Sequence, residues 1–271
     1  MTEFHRHIKF ETLDLRFDKR DRSVEAYAQR PWYEEYNSNF YTHIAKQLQP
    51  DLLLDIGANF GVASVFMKNK MPDVQLLSLE PNPDLLPYIE FNLNNNNFTK
   101  YEIIQAVVGK ESAENVTFHI NPAGSQDSRV IAGGEGWPQV ITPQVTLSQM
   151  IDKQSARRVF IKIDSQGYEE SIFAGGDSFL SSSTNWLIKT EFAPHWLKSQ
   201  GTDPAEFLRY LVSKFTVSEF PARYDYFTNY QNIMERSALK LSDVDSYLKY
   251  VVQLNRFDRG WVDLLIAPKA H

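Results

Sequence analysis

The sequence predicts an α/β fold built around a largely parallel sheet. Three observations carry that prediction. Short apolar runs alternate with amphipathic stretches from Leu52 onward, a glycine-bearing turn stands where the first run gives way to a helical pattern, and an acidic residue closes the next run. With 271 residues, 42% of them hydrophobic and 13% aromatic, the chain can bury a full-sized core, and one domain with additions is the simplest organisation.

Residues 1–50 read as an N-terminal helical cap in which Pro31, Trp32, Tyr33, Tyr36, Phe40 and Tyr41 pack over something apolar. Residues 51–271 form the main domain. Its first strand is the buried run from Leu52 to Ile56, and Val62, Val65 and Phe66 then repeat at helical spacing until Pro72. Residues 74–79 make the second strand, and Leu85, Leu86, Ile89 and Leu93 form a helical stripe behind Pro83 and Asp84. The asparagine run 94–97 reads as the turn that ends this helix, and residues 101–108 as the third strand. Residues 116–120 are strand-like, whereas 121–143, rich in Gly, Pro and polar residues, read as a long substrate loop. Residues 159–163 and 186–192 are further strands, with a short helix starting near Tyr168 between them. Phe207, Leu208, Leu211, Val212 and Phe215 mark another helix face. Residues 216–220 and 261–266 supply the last strands, separated by a helical insertion at about 230–258 in which Val244, Tyr247, Leu248 and Val251 share one face.

Composition narrows the function. The formal charge is -6 and Lys and Arg are scattered, so the chain lacks the basic footprint of a nucleic-acid binder. There are no cysteines, which removes disulfides, thiolate metal sites and a Cys nucleophile. No segment has the apolar continuity of a signal peptide or membrane span. The expectation is a soluble cytoplasmic protein with a small-molecule partner, no nucleic acid and no membrane; a homo-oligomer is open.

The strongest local signal is Asp55-Ile56-Gly57-Ala58-Asn59-Phe60-Gly61. A dinucleotide fingerprint would need a third glycine and a turn that welcomes diphosphate, so a dehydrogenase is disfavoured. Asp55 would repel a pyrophosphate and attract a cationic amino group, and a Cβ at Gly57 would fill space that a nucleoside or amino-acid moiety needs. Glu80, in Glu80-Pro81-Asn82-Pro83, stands about 20 residues further on, where a carboxylate can accept hydrogen bonds from both ribose hydroxyls. Gly57, Ala58, Asn59, Gly61, Glu80, Pro81 and Asn82 are therefore candidate cofactor contacts together with Asp55. A glycine turn and a strand-end Glu can also serve fold geometry alone; their joint occurrence in strand–turn–helix–strand order favours the cofactor.

These two blocks, with Ala106-Val107-Val108-Gly109 and Ile161-Lys162-Ile163-Asp164-Ser165-Gln166-Gly167-Tyr168-Glu169, closely resemble the FkbM family of class I methyltransferases over about residues 50–195. The resemblance implies a Rossmann-like fold with a seven-stranded, mostly parallel sheet, an antiparallel last strand and helices on both faces. It also implies S-adenosylmethionine as methyl donor, places Ala106 and Val107 among the donor contacts, and points to O-methylation of a sugar or secondary-metabolite hydroxyl. Gln166 stands where the family often has Glu.

Ligands of open α/β sheets bind beyond the carboxyl ends of the strands, so Asp164 and Glu191 are candidates for the acceptor site. Lys162 and Lys189 each precede one of them by two residues and share its face. The carboxylates can orient an acceptor hydroxyl or hold a divalent metal, or each can simply balance its lysine. His195, just past the fifth strand, can accept the proton an alcohol loses on methylation; a surface or capping histidine is the alternative. No His/Asp/Glu spacing defines a metal site. Gly124 to Arg129 offers hydrogen-bonding groups to a polyhydroxylated acceptor, and Trp32, Tyr33 and Tyr36 can close over it. Other acceptors, including a nitrogen, stay open. Nucleic-acid methylation is disfavoured by the missing Asn-Pro-Pro-aromatic block, and a binding module that has lost activity is the remaining alternative.

Overall fold

The computed structural model describes residues 4–10, 12–29, 31–131 and 134–269, and of residues 31–35 the backbone alone. The chain opens with a hairpin of β1 (His5–Phe10) and β2 (Leu13–Asp18), followed by α1 (Ser23–Gln29) and α2 (Pro31–His43). Next come β3 (Leu52–Ile56), α3 (Val62–Lys70), β4 (Gln75–Leu79), α4 (Leu86–Asn95), β5 (Tyr101–Ile104), β6 (Val107–Val108), β7 (Ala113–His119) and β8 (Gln139–Val145). Then α5 (Leu147–Gln154), β9 (Val159–Ile163), α6 (Glu169–Ser182), β10 (Trp186–Phe192), α7 (Pro194–Ser199), α8 (Pro204–Lys214) and β11 (Phe215–Glu219) follow. α9 (Tyr230–Arg236), α10 (Val244–Gln253) and β12 (Val262–Pro268) end the chain.

Seven strands form the main sheet in the order β11-β12-β10-β9-β3-β4-β5. The strands from β10 to β5 are mutually parallel, and β12 runs antiparallel to both its neighbours. The order reverses at β3, flanked by β4 and β9, which opens a crevice at the carboxyl ends of these strands. Side-chain alternation divides the core between two faces. Leu52, Leu54, Ile56, Ile161 and Ile163 meet α5, α6 and α8 on one face; Leu53, Phe160 and Leu187 meet α3, α4 and the N-terminal elements on the other. The seven-stranded, largely parallel sheet with helices on both faces is thus present.

The N-terminal segment carries a hairpin as well as helices. Leu13, Leu15 and Phe17 are buried and alternate with charged residues, a period-2 pattern that the overall polarity of the segment conceals. A two-stranded hairpin is marginal alone. Here α4 supports it: Asn92 Oδ1 accepts the Arg16 N–H at 2.6 Å, its amide donates to Arg16 O at 3.0 Å, and Asn95 and Asn96 both donate to Asp14 O. The asparagine run is therefore more than a helix-ending turn, because it satisfies the backbone of an adjoining strand. Phe40 and Tyr41 are buried against Phe160, and Tyr36 is partly buried against the same cluster. Pro31, Trp32 and Tyr33 have side chains outside the described residues.

Two boundaries differ from the sequence expectation. The run 101–108 is broken: β5 ends where Ile104 O accepts the Glu80 N–H, and β6 pairs instead with β8 in a separate three-stranded sheet β6-β8-β7. The expected loop 121–143 is shortened by β8, which pairs antiparallel with β7. Pro143 disguised this strand; it sits opposite the irregularity between Ala113 and Val116, where no ladder donor is required of it.

Candidate active site

A cavity of about 720 Å³ lies over the carboxyl ends of β3, β4, β9 and β10, a size typical of small-molecule sites. Of the expected donor contacts, Gly57, Ala58, Asn59, Glu80, Pro81, Ala106 and Val107 line it. Asp164 and Glu191 line it as well. Asp55, Gly61, Asn82 and His195 do not, and each has a physical reason.

The turn after β3 is bent by left-handed backbone at Gly57 (φ 73°), Asn59 (φ 52°) and Gly61 (φ 77°). A Cβ at Gly57 would stand 1.9 Å from Asp164 O, so this glycine makes room for the neighbouring strand end and not, as expected, for a ligand. At Gly61 a Cβ would meet Ile89 of α4 at 3.1 Å, which makes Gly61 a packing glycine. The Asn59 N–H donates to Glu80 Oε2 at 2.8 Å and the Asn82 N–H to Glu80 Oε1 at 3.0 Å, so Asn82 positions Glu80 from behind. Burial pushes the Glu80 carboxyl up to about 7, against the pull of these two backbone donors. Each Glu80 oxygen retains a lone pair beyond the one already engaged.

Asp55 was expected to meet the donor's amino group. It is fully buried beneath the turn, accepting Ser64 Oγ at 2.7 Å on Oδ2. Its Oδ1 faces Lys162 Nζ at 3.1 Å, an ion pair whose angle falls outside hydrogen-bond geometry. Register explains the pairing, since Asp55 and Lys162 are direct neighbours across β3 and β9. Lys162 Nζ also donates to Gly57 O at 2.8 Å and stands 4.0 Å from Asp164 Oδ2. Burial alone would lower the Lys162 ammonium, but Asp55 and Asp164 outweigh it and hold the group above its ordinary value.

Asp164 opens the tight loop that leads into α6. Glu169 holds this loop, accepting the Ser165 N–H at 3.0 Å, Ser165 Oγ at 2.8 Å and the Gly167 N–H at 3.3 Å on one oxygen. The final Glu of the Asp-x-x-Gly-x-Glu block is thus a positioning residue, a role that the i to i+4 spacing alone did not reveal. Gln166, in left-handed backbone at φ 55°, donates from Nε2 to Asp164 Oδ1 at 2.9 Å and reaches Glu191 Oε2 at 3.5 Å. An amide suits that place, because it can donate to both carboxylates where a third would repel them. Glu191 is raised well above the carboxylate range by burial and by the nearby charges of Asp164, Glu169 and Asp263.

Lys189 does not balance Glu191; its ammonium pairs with Asp263 of β12, the residue directly opposite Glu191 in register. His195 sits in the first turn of α7, ring to ring with Trp196 at 4.8 Å. Pro194 starts that helix and directs Trp196, not His195, to the cavity wall. His195, one candidate base of the sequence reading, is therefore not in the cavity lining. Burial, followed by Arg259, Arg129 and Lys198, lowers the His195 imidazole below its ordinary value. Among the described residues, no group of three or more His, Asp and Glu side chains is arranged to hold a metal ion.

The remaining walls come from afar. Ser125 to Ser128 face the cavity, and Ser125 is tied to the turn by Asn59 Nδ2 at 2.9 Å and to the N-terminal segment by Asp21 Oδ2 at 2.9 Å. Gln200, after α7, grips the far end of this loop through both Ile131 N and Ile131 O, and Arg129 stacks over Trp196 at 3.9 Å. Tyr36 and Tyr41 of α2, Tyr250 of α10, and Trp261 and Glu219 close the opposite side. Glu219, Tyr250 and Asp263 were not anticipated, for they reach the site only through the pairing of β10, β12 and β11.

The model of the FkbM methyltransferase domain matches residues 55–227. A search of curated proteins gave no match. Among solved structures, the chain is similar to an O-methyltransferase from Bacillus cereus in complex with S-adenosylhomocysteine (10% identity, 92% of this chain and 88% of that one, TM-score 0.46). It is also similar to the O-methyltransferase from Streptomyces achromogenes involved in tomaymycin synthesis, in complex with S-adenosylmethionine (11% identity, 93% and 91%, TM-score 0.45). The turn, the Glu80 carboxylate and the Asp-x-x-Gly-x-Glu loop all fall inside the matched family segment, and the chain belongs to the FkbM methyltransferases, enzymes that use S-adenosylmethionine.

Proposed function

We propose that the chain transfers a methyl group to a hydroxyl of a polyhydroxylated small molecule, a sugar or glycosylated metabolite, with Glu191 as the general base. The donor, when bound, supplies an electrophilic methyl on a sulfonium, so the protein's task is alignment, exclusion of water and removal of one proton. Glu80 accepts the ribose hydroxyls, and Ala58, Pro81, Ala106 and Val107 give the adenine an apolar slot. As the acceptor oxygen forms its bond to the methyl carbon and the carbon–sulfur bond breaks, the hydroxyl proton passes to Glu191.

The observation that carries this reading is the place of Glu191: at the cavity wall, with Lys189 committed to Asp263 and, among the described residues, only the long Gln166 amide contact on Oε2. A carboxylate whose proton affinity is raised by burial is a stronger base than an exposed one. Ser125, Ser128 and the Asp127 carboxylate offer polar partners to acceptor hydroxyls, while Tyr250 and Trp261 offer faces for a sugar ring. Residues 1–50 act as the cap of this site through Tyr36 and Tyr41, and the setting is cytoplasmic. The test is a screen of sugars and glycosides with isotopically labelled methyl donor, followed by Glu191→Gln. The variant should lose about 10²–10⁴-fold in kcat with donor affinity kept. Unchanged turnover would remove Glu191 as base, and methylation of amines with no hydroxyl accepted would overturn the acceptor class.

A further inference from the structure

A buried guanidinium without a counter-charge stands at the edge of the cavity. Arg129 is only 3% exposed, while its chain neighbours Ser128 and Val130 and its stacking partner Trp196 line the cavity. Of its N–H donors, Nε is spent on Asp127 O at 2.9 Å. The guanidinium carbon lies 3.9 Å from the centre of the Trp196 ring and 5.4 Å from that of Trp137. Aromatic faces favour a cation but leave its N–H edge unsatisfied. Among the described residues, the terminal NH2 groups have no hydrogen-bond partner, and no carboxylate stands within ion-pair distance; Asp127 acts on the charge from further off. Burial accordingly lowers the guanidinium from its ordinary value. Gln200 holds the end of this loop through Ile131 N and Ile131 O, which fixes it against the helix that carries Trp196.

Further cations converge on this corner. Lys198 and Arg259, both exposed and neither in an ion pair among the described residues, act together with Arg129 on the His195 ring beside Trp196. Elsewhere the lining carries the carboxylates Glu191, Glu219 and Asp263, so the corner stands apart in sign. We propose that it binds a phosphoryl group carried by the acceptor, with the terminal N–H groups of Arg129 as the principal donors and Lys198 and Arg259 on the outer side. This rests on the acceptor reading given above and narrows it to phosphorylated sugars. A guanidinium presents a planar fork that matches two phosphate oxygens, and a group of more than one negative charge suits several cations at once. A neutral hydroxyl would leave the buried charge unmatched, a costly arrangement for a fold to keep.

The first probe is inorganic phosphate on the intact chain, against chloride at equal ionic strength, read by thermal melts and by indole N–H signals in proton–nitrogen correlation spectra. Phosphate at saturation should raise the wild-type Tm by about 2–4 °C and shift the signals of Trp137 and Trp196. Arg129→Met, which keeps an apolar stem and removes the charge, should show neither response. Arg129→Lys, which keeps the charge and loses the fork, should retain both at about tenfold weaker affinity. A wild type unmoved by phosphate overturns the proposal, and so does an Arg129→Met protein that still responds. In the labelled-methyl screen, sugar phosphates should exceed the parent sugars and the matching uronic acids by about 10- to 100-fold in kcat/KM, a preference that Arg129→Met removes. Equal use of parent sugars or uronic acids overturns the phosphoryl assignment. Phosphate bound through Arg129 with no sugar of any kind methylated would instead strike the acceptor reading and leave the anion site standing, so the two failures are told apart.

Discussion

At the end of the cavity proposed to take the donor, Gly57, Ala58, Asn59, Glu80 and Pro81 come from two successive strand ends, and backbone N–H groups hold the one carboxylate among them in place. At the end proposed for the acceptor, Glu191, Glu219, Tyr250, Trp261 and Asp263 come from β10, β11, α10 and β12 with its approach, while Tyr36 comes from α2 near the other end of the chain. The first arrangement is local and set by backbone turns; the second depends on side chains brought together by strand pairing across long separations. Variation at the acceptor end can thus change the substrate without disturbing the donor site, whereas a change in the turn reaches both ends through Asp164.

The largest effect is expected at the turn. Gly57→Ala would drive a Cβ to 1.9 Å from Asp164 O in left-handed backbone, which demands that two strand ends separate. It should cost about 2–4 kcal/mol of stability and should weaken donor and acceptor binding together, measurable by denaturant melts and ligand titration. Glu80→Ala comes next, with donor affinity falling about 10- to 100-fold as two ribose contacts are lost and acceptor KM little changed. Tyr250→Ala removes a half-exposed wall of the proposed acceptor end and its contact with Glu219 Oε1 at 3.4 Å, and should raise acceptor KM about 3- to 10-fold with the donor Kd unmoved. A donor effect from Tyr250 would show that the two ends are not separable.

Glu80 also predicts a pH dependence. Its carboxyl is raised to about 7 in the folded chain from an ordinary value of 4.5, and the ionised form is the better acceptor for ribose hydroxyls. Donor affinity should therefore rise as pH increases through about 7, an increase absent from Glu80→Gln. For stability the sign is opposite. The folded state holds this proton more tightly than the unfolded chain, so the contribution is fully present below about 4.5 and is lost as pH rises through about 7. Thermal melts of wild type against Glu80→Gln across that range measure it.

Sequence legibility follows the same division. The glycine turn, Glu80 and the alternation of strands with helices could be read because each depends on residues close in sequence or on a repeated period, whereas the seven-stranded order came only from the family resemblance. Asp55 shows the limit: an acidic residue beside the turn is visible, but its partner is Lys162, 107 positions away, placed there by the register of β3 and β9. Lys189 and Glu191 show it again, for a two-residue spacing puts them on one face, yet Lys189 turns to Asp263 of an antiparallel neighbour. His195 was read from its position after a strand, but the helix begun at Pro194 presents Trp196 instead. The hairpin at the N-terminus was missed, because the charged residues between Leu13, Leu15 and Phe17 masked their alternation.

One turn-built donor site and one distant acceptor base are proposed to share the cavity, and this calls for paired measurement of S-adenosylmethionine affinity and of methyl transfer to a hydroxylated acceptor on Glu80→Ala and Glu191→Gln. Glu80→Ala should weaken donor binding and be rescued by raising donor concentration, while Glu191→Gln should bind donor as wild type does and stay slow at saturation. Donor binding unaffected by Glu80→Ala, or lost in Glu191→Gln, would contradict it.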